Sequence, residues 1–196
     1  MMHKEEYFKY GKLLYELYEK LYDEGKIHIK GQEDMRFNAF GKLYYSLVEN
    51  PWKSIGITKN LLKELQSNDF KPRKPDGKKI LMTRAHIYER ADFFKKLFLE
   101  EKKTSHDLFS FLWHTDITIM SLSNENKDIQ EILNNKGGYL FPNQGYKYLF
   151  PARTIGFKYT KKVQEELSNF WLNQNKELIK TNGQKGINFK IVNEWK

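Results

Sequence analysis

The sequence predicts an α+β protein: a helical N-terminal region, then a mixed region with a C-terminal hairpin and helix. Three observations carry this reading. Apolar residues recur at steps of three and four through the first third of the chain, the period of amphipathic helices. The stretch "FKPRKPDGKK", with two prolines and a Pro-Asp-Gly turn signal, then breaks the pattern. Beyond it, short apolar runs of strand length, "KILMTRAHI" and "DITIMSL", alternate with helical segments. The expected organisation is a helical region over 1–70 and a mixed region over 71–196, together one compact domain.

Taken in order, residues 5–24 read as a helix. Tyr7, Tyr10, Leu14, Leu17 and Leu21 line one face, Tyr15, Tyr18 and Tyr22 form a second stripe, and Gly25 stands where a C-cap belongs. A second helix is expected over 35–48, closed by "ENPW". A third is expected in "GITKNLLKELQSN", with Thr58 as N-cap. After the proline-rich break come the strand "KILMTRAHI", the helices "ADFFKKLFLEE" and "SHDLFSFLWH", and the strand "DITIMSL". "SNENKDIQEILNN" reads as a helix capped by Ser123. Aromatic and polar residues alternate between Gly and Pro breaks in "KGGYLFPNQGYKYLFPARTIGFKYT", the pattern of a hairpin. A helix over "TKKVQEELSNFWLNQNKELI", with Thr160 as N-cap, and a last strand in "GINFKIVNEW" complete the chain.

Charge narrows the partner. The chain carries a net charge of +9, unevenly spread. From Ile132 to Gln164 there is no Asp or Glu, while Lys136, Lys147, Arg153, Lys158, Lys161 and Lys162 all fall there. A second cluster, Lys71, Arg73, Lys74, Lys78, Lys79 and Arg84, contains Asp76 as its single acid. Concentrated cations suit a polyanion, since each neutralised phosphate releases counterions. Aromatics interleaved with Lys147, Arg153 and Lys158 could stack on bases while those cations hold phosphates. The expected partner is therefore nucleic acid, DNA ahead of RNA, with a protein partner as the alternative. With no cysteine in the chain, thiolate zinc sites and cysteine nucleophiles are excluded. No apolar run approaches the ~20 residues of a membrane span and no signal-peptide core is visible, so a cytoplasmic location without membrane contact is expected.

His86 ends the strand "KILMTRAHI", and "DITIMSL" leads into a segment carrying Asn124, Asn126 and Lys127. At "TRAHIYERADFF" and "DITIMSLSNENKD" the chain resembles the HNH and wider His-Me finger nucleases, whose site is a strand–strand–helix unit of the ββα-metal type. That resemblance, over roughly residues 78–132, implies a Mg²⁺-dependent endonuclease acting on DNA or RNA. His86 would be the general base, Asn126 and Asp116 metal ligands, and Arg84 and Lys127 phosphate contacts. Ala85 stands where most such sites place an acid. The chemistry suits the residue types: histidine accepts a proton near neutral pH, and an amide oxygen is a hard donor of the kind Mg²⁺ prefers. The alternative is a non-catalytic basic protein that binds nucleic acid or another protein, of the kind phages and mobile elements encode.

Overall fold

A computed structural model describes residues 9–27, 34–47, 53–141 and 160–179. In chain order its elements are α1 (Gly11–Asp23), α2 (Met35–Leu47), β1 (Lys53–Thr58), α3 (Lys59–Gln66), β2 (Met82–His86), α4 (Arg90–Leu99), α5 (Ser105–Thr115) and β3 (Ile117–Leu122). A 3₁₀ turn (Ser123–Glu125), α6 (Ile129–Asn135), β4 (Gly138–Leu140) and α7 (Lys161–Leu172) follow. The class is α+β. Two compact units interleave along the sequence. Of the described residues, a helical unit combines 9–27 and 34–47 with 88–116, and a sheet unit combines 53–87 with 117–141 and 160–179. Among the described residues no helix is long and apolar enough to cross a membrane.

In the helical unit, α1, α2, α4 and α5 pack around aromatic rings. Tyr18 is fully buried, with its ring 5.5 Å from Phe98 and 6.0 Å from Phe40, centroid to centroid. Its hydroxyl donates to the Leu97 carbonyl at 3.3 Å and accepts from the Lys103 N–H at 2.9 Å. Burying a phenol requires such a partner. Gly25, at φ +69°, follows α1 in the left-handed conformation expected of it. Asp34 and Arg36 form a buried ion pair at the start of α2.

The sheet unit has four strands in the order β2-β3-β1-β4. β1 and β3 run parallel, while β2 on β3 and β4 on β1 are antiparallel. β1, "KSIGIT", lies in a stretch read from sequence as the lead-in to a helix; its pairing with β3 and β4 makes it a central strand. Thr58 ends it and caps α3 as expected, its hydroxyl oxygen accepting from the Leu61 N–H at 3.3 Å. One core joins Ile57 and Met120 of the sheet to Leu61, Leu62 and Leu65 of α3 and to Val163, Leu167 and Phe170 of α7. Thr160 caps α7, accepting from the Val163 N–H at 3.3 Å. The segment from Ser123 to Asn135, read as one helix, is instead a 3₁₀ turn followed by a separate helix. The expected hairpin beyond Phe141 and the last strand in 186–195 lie outside the described residues.

Candidate nucleic-acid interface

The proline-rich break folds as a tight hairpin in the sheet unit. Lys74 N–H donates to the Lys78 carbonyl at 2.8 Å, and Gly77 N–H donates to the Lys74 carbonyl at 2.9 Å. Gly77 sits at φ +81°, which glycine adopts without strain. Asn68 braces the base through its side-chain N–H₂, donating to the carbonyls of Lys71 and Arg73 at 2.6 and 3.0 Å. Lys71, Arg73, Lys74, Lys78 and Lys79 are all exposed. Three have acidic neighbours: Lys71 pairs with Asp69 at 3.7 Å, Lys78 with Asp76 at 3.3 Å, and Lys74 with Glu64. The hydrogen bond to Glu64 holds the Lys74 ammonium above its ordinary pKa.

Arg73 and Lys79 are different. They are antiparallel bridge partners, directly opposite each other, and neither has an ion pair among the described residues. They flank a cleft of about 340 Å³ lined by Pro72, Arg73, Lys79, Ile80, Leu81, Met82 and Ser123. Ser123 is tied to its floor, its backbone N–H donating to the Leu81 carbonyl at 2.9 Å. The basic cluster was visible in the sequence, but the facing of these two cations depends on a register that composition does not reveal.

β2 places His86 and Arg84 together. Side chains alternate across a strand, so Met82, Arg84 and His86 share a face, the one on which Met82 packs against the core. His86 is in register with Thr118, and Thr118 with Ser54, which forms a polar row across three strands. Arg84 is in the next row, opposite Met120. His86 is half-buried. Arg84 is 9% exposed, and Thr118 and Ser54 are buried. The buried Ser54 hydroxyl has no hydrogen-bond partner among the described residues.

Asn126 and Lys127 lie toward the other end of β3. Thr118, opposite His86, is four residues before Leu122, a rise of ~13 Å along β3. Asn126 and Lys127 follow that far end, both exposed. Asp116 is fully buried in the helical unit. Its carboxylate accepts from the hydroxyls of Tyr44 at 2.7 Å and Tyr45 at 3.4 Å. Among the described residues, no group of three or more His, Asp or Glu side chains is placed to hold a metal ion. Lys147, Arg153 and Lys158 lie outside the described residues. Glu125, read from the sequence only as part of the expected helix's first turns, has a structural role that the sequence did not assign. It is 4% exposed and accepts from Thr58 Oγ1 at 2.8 Å, Asn60 Nδ2 at 2.6 Å and the Leu122 N–H at 3.0 Å. These bonds fasten the turn after β3 to the start of α3. An acid lodged beside a helix start is ordinarily solvated, so nothing local signals this role. No family model matches the chain, and neither a curated protein nor a solved structure is significantly similar to it.

Proposed function

We propose that the chain binds nucleic acid through its phosphates, with the hairpin of residues 71–79 as a principal contact. The observation that supports this most is the facing pair Arg73 and Lys79. Like charges directly opposite on paired strands repel, and an anion seated between them turns that cost into an attraction. Exposed Lys127, on the same unit, adds a further cation. Lys147, Arg153 and Lys158 are proposed contacts on the strength of their acid-free sequence context.

Affinity for DNA or RNA should fall linearly in log–log form as salt rises, by ~0.9 of a slope unit for each phosphate neutralised on duplex DNA. Alanine at both Arg73 and Lys79, which share one phosphate, should lower that slope by about one. Lys20→Ala, on α1 of the helical unit, should leave it unchanged. A double variant with the parent's slope would exclude the hairpin as a contact.

A second reading adds Mg²⁺-dependent phosphodiester hydrolysis. What favours it is the adjacency on one sheet face of half-buried His86 and Arg84, a base beside a guanidinium; at 9% exposure Arg84 would meet a phosphate only at the edge of that face. Of the proposed metal ligands, Asn126 follows the end of β3 away from Thr118, the partner of His86, and Asp116 is buried with its carboxylate on the hydroxyls of Tyr44 and Tyr45. In this reading His86→Ala lowers cleavage about 10²–10⁴-fold while leaving binding nearly intact. Plasmid nicking compared in Mg²⁺ and in EDTA tests it, and no nicking of the parent in Mg²⁺ would leave binding as the function.

A further inference from the structure

We infer that the cleft beside the hairpin seats one unpaired nucleotide, so that the nucleic acid held there is single-stranded. The inference rests on the phosphate-binding reading above and narrows its partner. A cleft of about 340 Å³ is at the small end of ligand pockets, which run to ~300–1,000 Å³. That is room for a group of about the size of one nucleotide. Its lining is divided by chemistry. Arg73 and Lys79 supply the cations, Ser123 supplies a hydroxyl, and Pro72, Ile80, Leu81 and Met82 supply an apolar wall and floor.

A surface that only tracks phosphates needs no apolar floor. Here one is present, and Leu81 is 69% exposed on it. Aliphatic surface beside paired cations matches a nucleotide whose base face is free to cover it, removing apolar area from water, while its phosphate lies between the charges. In a duplex the base faces are stacked on their neighbours, and a rigid double helix does not enter a cleft of this size. Ser123 is the one hydroxyl-bearing residue in the lining. It is fixed there by its own backbone bond to Leu81, not by a flexible loop.

The test is fluorescence anisotropy with a short labelled single strand and with a duplex of the same sequence, comparing the parent, Leu81→Ser and the Arg73→Ala/Lys79→Ala double variant. Leu81 contributes little to the core at its exposure, so Leu81→Ser folds, which a thermal melt verifies. The parent should prefer the single strand. Leu81→Ser should lower single-strand affinity about fivefold, the effect of losing roughly 40 Å² of covered apolar surface at ~25 cal/mol per Å², and leave duplex affinity and both salt slopes unchanged. The double variant should weaken both forms. Equal loss on single strand and duplex, or no loss on either, overturns the inference while leaving phosphate binding intact. If the parent binds neither form in a salt-dependent way, the phosphate reading fails and the inference fails with it.

Discussion

Replacing Asp34 with alanine should destabilise the helical unit by about 3–5 kcal/mol, the range for breaking a buried ion pair by removing one partner. Asp34 and Arg36 are only 6% and 4% exposed. The carboxylate accepts from Arg36 Nε at 2.9 and 2.8 Å and from Arg36 Nη2 at 2.5 Å. It also caps α2 by accepting from the Arg36 backbone N–H at 3.1 Å. Without it, the guanidinium keeps the face of Phe98, 5.1 Å from the ring centroid, and loses its only counter-ion among the described residues. The loss should appear as a lower melting temperature and as faster amide exchange at Leu14 and Tyr18. Pairing Asp34→Ala with Arg36→Met should recover most of it, because an apolar replacement leaves no uncompensated charge. A loss of less than about 1 kcal/mol in the single variant would mean that the pair is solvated, as surface pairs are.

The same pair sets an acid limit. Burial pushes the Asp34 carboxyl up, but the hydrogen bonds and charge of Arg36 outweigh it and hold the group below the ordinary carboxylate range. A depressed folded value contributes stability that is fully present above the unfolded pKa of ~3.9 and is lost as pH falls through the folded one. Acid unfolding should therefore steepen below about pH 4 in the parent, and Asp34→Ala should lack that component.

Much of the helical architecture could be read from the chain because its signals are local. Thr58 and Thr160 cap the helices they were expected to cap, and Gly25 ends α1 as its lack of a side chain allows. What could not be read depended on partners distant in sequence. β1 offers only Ile55 and Ile57 as an apolar alternation, and its strand character comes from pairing with residues 117–120 and 138–140. The helix expected from Ser123 breaks because Glu125 turns back to Leu122, Thr58 and Asn60. At the candidate interface the basic cluster of 71–84 was plain in the sequence, and His86 was expected at a strand end, where it stands as the last residue of β2. The burial of Arg84 and the facing of Arg73 and Lys79 were not legible, since both follow from register.

Gly56→Ala should be the most damaging glycine substitution among the described residues of the sheet unit, at about 3 kcal/mol or more, the upper end of overpacking costs. A Cβ at Gly56 would stand 2.3 Å from the Tyr139 carbonyl oxygen and 3.1 Å from Ile179 Cδ1. A side chain could swing aside, but the carbonyl is part of a ladder. Gly56 is in register with Leu140 and Ile57 with Tyr139, and Phe141 N–H donates to the Ile55 carbonyl at 2.9 Å. β4 is held on its other side as well, where Leu140 N–H donates to the Glu177 carbonyl and Ile179 N–H to that of Gly138. It cannot retreat from β1 without disturbing residues 177–179. Gly77 sets the contrast: nothing lies within 4 Å of an added Cβ there, and only its φ of +81° resists a side chain. Alanine at Gly77 should therefore cost about 1 kcal/mol. At ~2–4 °C per kcal/mol for a chain of this size, Gly56→Ala should lower the melting temperature by about 6–12 °C and Gly77→Ala by about 2–4 °C. Equal shifts in the two variants would mean that the backbones of β1 and β4 do not meet as closely as the pairing of Gly56 with Leu140 requires.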